Sequence, residues 1–124
     1  MCHQTVSLVA HHLEQAGIPT VVIGSARDIV EEHGVARFVF TDFPLGNPCG
    51  KPWDEAMQDA IAALAVQLFE AAPGPRTTVQ APFSWPDDGW RDRFMSLDDA
   101  ATLAAKGAAR RAEQAAKKAG EQAR

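Results

Sequence analysis

The sequence predicts an α/β fold: an incomplete, doubly wound parallel sheet of the Rossmann or flavodoxin kind, with an Ala-rich helix at the C-terminus. Three observations predict it. Thr20-Val21-Val22-Ile23 and Arg37-Phe38-Val39-Phe40-Thr41 are short continuous runs of β-branched and aromatic residues, the composition of strands buried on both faces. Helical patterns alternate with these runs, giving helix, strand, helix, strand, which is half of a doubly wound unit. The last segment, residues 97–119, is dominated by Ala, Lys, Arg, Gln and Glu, all strong helix formers.

The first helix begins just after Cys2 and His3. Leu8, Val9, Leu13 and Ala16 recur at helical spacing and predict its core face. Gly17 suits a left-handed C-terminal position, and Pro19 cannot continue a helix. The first strand, residues 20–23, stops at Gly24-Ser25. Ser25 is the predicted cap of a short second helix over residues 26–33, with Asp28 at the capping-box position and Gly34 at its end. The second strand, residues 37–41, leads into a loop from Asp42 to Trp53 whose three prolines and two glycines forbid regular structure. Asp54 caps a longer helix over residues 55–72, with Met57, Ile61, Leu64 and Leu68 as its core stripe. Pro73-Gly74-Pro75 stops it. Residues 77–81 are a third strand or an extended arm, and Pro82 favours an edge position. Phe83, Trp85 and Trp90 follow in an irregular acidic segment and need cover, from the back of the sheet or from a partner chain. Ser96 and Asp99 open the last helix, where small residues recur every four positions. The expected organisation is an α/β domain over residues 1–76, an aromatic arm over 77–95 and the helical tail over 96–124.

A net charge of −4 argues against nonspecific nucleic-acid binding. No apolar run approaches membrane-spanning length, and no signal-peptide pattern opens the chain. Cys2 and Cys49 are therefore read as unlinked thiols of a cytoplasmic protein.

The chemistry gathers around Cys2 and His3. A thiol at a helix N-terminus faces unpaired backbone N–H groups and the positive end of the helix dipole, both of which favour thiolate. Cys49 is a second thiol, on a loop expected at the carboxyl end of a strand, where open α/β sheets place ligands. Gly46-Asn47-Pro48-Cys49-Gly50 has the makings of a nest of backbone donors for a carboxylate or phosphate, and Lys51 is a nearby charge. His11 and His12 are expected on an exposed or interface face of the first helix. No resident cofactor is expected; the alternative is a zinc or iron site at Cys2, with or without Cys49, shared with a partner chain. GxGxxG, GxxxxGK[ST] and CxxC motifs are all lacking.

Cys2-His3-Gln4-Thr5-Val6, Ala16-Gly17-Ile18-Pro19-Thr20 and Asp42-Phe43-Pro44-Leu45-Gly46-Asn47-Pro48 resemble, in this order and spacing, the C-terminal region of selenoprotein B-type reductases. These are the glycine, sarcosine, betaine and D-proline reductases and their cysteine-containing relatives. The resemblance covers residues 2–90. It implies reductive cleavage of a carbon–heteroatom bond, typically C–N in a small amino-acid-like substrate, by a selenolate or thiolate that a dithiol donor restores. On that reading Cys2 and His3 carry catalysis, and Leu45, Gly46, Asn47 and Cys49 line the substrate. Family members often carry a further selenocysteine or cysteine shortly before the position of Cys2, which this chain lacks. The expectation is an obligate subunit whose sheet pairs with a companion chain or with a copy of itself. Cys2 then acts together with that chain or alone, or catalysis has been lost.

Overall fold

The computed structural model describes residues 2–93, 105, 107–113 and 116. The chain falls into two compact units, Met1–Trp90 and Arg91–Arg124. The first unit holds α1 (Cys2–Gln15), β1 (Val22–Gly24), α2 (Arg27–His33), β2 (Arg37–Phe40), α3 (Glu55–Ala71) and β3 (Thr77–Gln80). A short α4 (Gly89–Arg93) follows. In the second unit residues 107–113 are helical. The expected cap at Ser96 and Asp99 and most of the Ala-rich stripe lie outside the described residues.

The strands form an open parallel sheet in the order β1-β2-β3, with Val22 opposite Phe38 and Val39 opposite Val79. The class is α/β, as the alternation of patterns predicts. Successive residues of β2 point to opposite faces. Phe38 packs with Val22, with Ala10 of α1 and with Val30 of α2. Val39 packs with Ala65 and Leu68 of α3 and with Ala81. Helices α1 and α2 therefore cover one face and α3 the other. Fully burying a side chain such as Phe38 or Ile61 contributes about 1.5–3 kcal/mol.

The two faces have a topological consequence. Both connections step the same way across the sheet, yet their helices lie on opposite sides. The two crossovers are thus of opposite hand, and one runs against the strong right-handed preference of such units. With α1 already beside α2 on the first face, the second face is left to α3.

Helix α3 forms as its sequence directs. The Asp54 carboxylate accepts from the Met57 amide at 3.1 Å, and Ile61 and Leu68 are buried, with Ala65 beside them. Strand β3 lies at an edge of the sheet, the position that Pro82, just past its end, favours. Trp85 tilts against the buried Phe43 with ring centroids 5.4 Å apart, and Phe83 packs on the Val39 side of the sheet. Both aromatics thus find cover within the chain.

Three expectations are corrected. Helix α1 begins at Cys2 itself, and its buried face is His3, Ser7 and Ala10; Leu8, Val9 and Ala16 are exposed. Small and hydrogen-bonded residues let α1 lie close on β1 and α2, and the apolar stripe Val6, Val9, Leu13 turns aside. Strand β1 starts at Val22 because Thr20 is held by Glu14, whose carboxylate takes the Thr20 amide at 2.6 Å and its hydroxyl at 3.0 Å. Ser25 does not cap α2. The N-cap is Ala26, which has no side-chain cap bond.

Candidate functional site

Cys2 opens α1 and is exposed. His3, next to it, turns inward and is buried. Its Nδ1 lies 3.5 Å from Cys2 Sγ. Its Nε2 accepts the backbone N–H of Ser25 at 3.1 Å and of Ala26 at 3.2 Å. These are the amides that lead into α2, satisfied across the fold by an imidazole. Gly24 makes room for the ring.

Burial foremost lowers the pKa of His3 below its usual 6.5; the amino-terminal charge adds to this and Asp28 acts the other way. A cation here would lose water and would also turn N–H against N–H at Nε2.

The Ser25 hydroxyl is drawn elsewhere. It lies 3.3 Å from the hydroxyl of the fully buried Thr41. Thr41 Oγ1 donates to the Pro48 carbonyl at 2.8 Å, and so accepts from Ser25. The Thr41 amide donates to Gly24 O at 3.0 Å. Polar contacts therefore tie the Cys2 sulfur to His3 and His3 to the Ser25 amide, while the Ser25 hydroxyl ties the same residue to Thr41 and the loop at the carboxyl end of β2.

That loop presents Leu45, Gly46 and Cys49 to solvent, with Asn47 half-buried. The amides of Asn47 and Gly50 are engaged in turns, to Pro44 O at 3.1 Å and Asn47 O at 3.2 Å, so these two donors are not offered as an anion nest. Gly46 and Gly50 have φ of 94° and 112°, which glycine alone adopts freely. Trp53 also has positive φ, 66°, and is 98% exposed. Cys49 is unlinked and exposed, one residue past the carbonyl that Thr41 anchors. Lys51 is exposed.

His12 lies on the exposed side of α1, but His11 does not: it is half-buried, and its Nε2 bonds the His33 carbonyl at the far end of α2. Among the described residues, no group of three or more His, Cys, Asp or Glu comes together to hold a metal. A metal at Cys2 or Cys49 would need ligands from beyond the described residues. No helix among the described residues is long and apolar enough to cross a membrane.

Ser25 and Thr41 are the site residues that the sequence reading missed. Their one local signal is a hydroxyl residue closing each apolar run, a position commonly read as a turn.

The chain is similar to a reductase subunit. It is 29% identical over 84 residues to the D-proline reductase subunit gamma of Acetoanaerobium sticklandii, covering 68% of this chain and 35% of that one. It thus spans about a third of the length of the curated relative it matches. No protein-family model matches it, and no solved structure does.

Proposed function

We propose that this chain is a subunit of a thiol-dependent reductase, related to the proline and glycine reductases, that cleaves a carbon–heteroatom bond, typically C–N, in a small amino-acid-like substrate. Cys2 is the nucleophile or the resolving thiol. The loop carrying Leu45, Gly46, Asn47 and Cys49 shapes the substrate pocket, and a companion chain completes it. In the balanced reaction the C–N bond is replaced by C–H and N–H, while two thiols give up two electrons and close to a disulfide. An external dithiol then reopens that disulfide.

The observation that carries this reading is the set of polar contacts that tie an exposed sulfur, by way of His3 and Ser25, to the loop, in a chain similar to a D-proline reductase subunit. The test uses the complex isolated with whatever chain copurifies, assayed with cyclic and acyclic amino acids and dithiothreitol. Turnover is expected, with loss of at least a hundredfold in Cys2→Ala. Undiminished turnover in that variant would sink the role given to Cys2.

A structural role within the same complex is the second reading. Val6, Val9 and Ile18 form exposed apolar surface on and after α1, and both outer strands are short edges. A complex that assembles normally and works fully with Cys2→Ala would select it.

A further inference from the structure

We propose that His3 is a positioning residue held as its Nδ1–H tautomer, which donates to the Cys2 sulfur and cannot take a proton from it. The inference rests on Cys2 being the working thiol of the reading above.

A ring nitrogen that faces N–H donors must present a lone pair. His3 Nε2 faces two, from Ser25 at 3.1 Å and Ala26 at 3.2 Å. A neutral imidazole has a single N–H, so the proton sits on Nδ1. Nδ1 lies 3.5 Å from Cys2 Sγ, within reach of a hydrogen bond to sulfur. The bond therefore runs from nitrogen to sulfur. A histidine that activates a thiol as its base needs the reverse, a bare nitrogen facing S–H. His3 has no bare nitrogen to spare, and the thiol proton must leave to solvent or to a group outside this pair.

The tautomer is fixed by the fold. The other neutral tautomer, or a doubly protonated His3 ring, would set N–H against both amides, and a flipped ring would leave them facing a C–H. The charged and titratable groups that bear on the ring are the amino-terminal charge and Asp28, together with the neighbouring Cys2. His11 is the contrast on the same helix. Its Nε2 meets a carbonyl oxygen and so must carry a proton. Helix α1 thus sends one imidazole to each end of α2, a bare Nε2 to the amides and a protonated Nε2 to a carbonyl, each with the polarity that end demands.

Long-range hydrogen–nitrogen correlation spectra of the full chain at neutral pH read the tautomers. His3 is expected with a protonated Nδ1 and a bare Nε2, and His11 with a protonated Nε2. A His3 protonated on Nε2 overturns the proposal, whatever Cys2 does in turnover. Two variants then divide the ring's tasks. His3→Gln keeps an acceptor near the Nε2 position, and His3→Asn keeps a donor near Nδ1. At neutral pH, iodoacetamide should label Cys2 about threefold more slowly in His3→Gln than in the parent. In strongly alkaline solution, where sulfur is anionic in both, that difference should vanish or reverse, which a loss of packing would not produce. His3→Asn should keep the parent labelling rate. Equal rates for His3→Gln and the parent at neutral pH would refute the donor role. Neither measurement needs a substrate, so both stand apart from the turnover test of Cys2.

Discussion

A methyl group at position 24 would sit 3.0 Å from His3 Cδ2 and 3.2 Å from both His3 Nε2 and Phe38 Cε2. The ring cannot swing away, because two backbone amides hold it. Phe38 cannot yield either, since it is buried between α1 and α2. Gly24→Ala is therefore expected to cost about 1–3 kcal/mol, the usual range for overpacking. Urea denaturation measures this, and the His3 ring resonances should move with it. An unchanged midpoint would mean that the ring is not seated as described. Glycine is needed here for closeness of approach, unlike Gly46 and Gly50, where the backbone angle demands it.

Among the elements, α3 carries the second face of the sheet nearly alone. Ile61 is fully buried and Val66, on the same helix, is 66% exposed. Ile61→Ala should cost about 2–5 kcal/mol, whereas Val66→Ala should stay within about 0.5 kcal/mol. Thermal or chemical unfolding of both variants checks the contrast, and similar losses would mean that the faces are misassigned. Helix α3 was legible in the sequence because everything that fixes it is local: an Asp cap, a stripe of large apolar residues and a Pro-Gly-Pro stop. Strand β2 was legible for the same reason, whereas residues 77–81 stayed open between a strand and an extended arm, because what makes them β3 is pairing with β2 forty positions back. Helix α1 was not, because its inward face is an imidazole, a hydroxyl and a methyl, letters that read as surface or filler. Ser25 misled for a related reason. It has the right chemistry for a cap, but its hydroxyl is claimed by Thr41, sixteen residues on. Cys2 and His3 stood out as adjacent residues. What His3 bonds to did not, since Ser25 and Ala26 lie twenty-two and twenty-three positions away.

For the molecule as a whole, these bonds set how stability responds to acid. The folded His3 binds its proton more weakly than the unfolded chain does, so between its lowered pKa and about 6.5 the unfolded state holds more protons. Stability from His3 is full above that range and is lost as pH falls through it. Glu14 acts lower. Its bond from the Thr20 amide foremost, then the Thr20 hydroxyl and Arg37, hold its pKa below 4.5. Its stabilisation is present above that value and fades as pH drops towards the folded pKa. The Glu14–Arg37 pair is partly exposed, with side chains 29% and 23% accessible, so solvent screens it and this second stage is the smaller. Urea midpoints taken from pH 7.5 down to 3.5 should fall in two steps, the first absent in His3→Gln. A flat profile between pH 7 and pH 5 in the parent would contradict the buried neutral ring. One more property follows from where that ring sits. In open parallel sheets the amides after the first strand are where polyphosphates are commonly gripped. Here a side chain of the protein's own plugs that berth, so a dinucleotide would have to evict His3 before it could settle there.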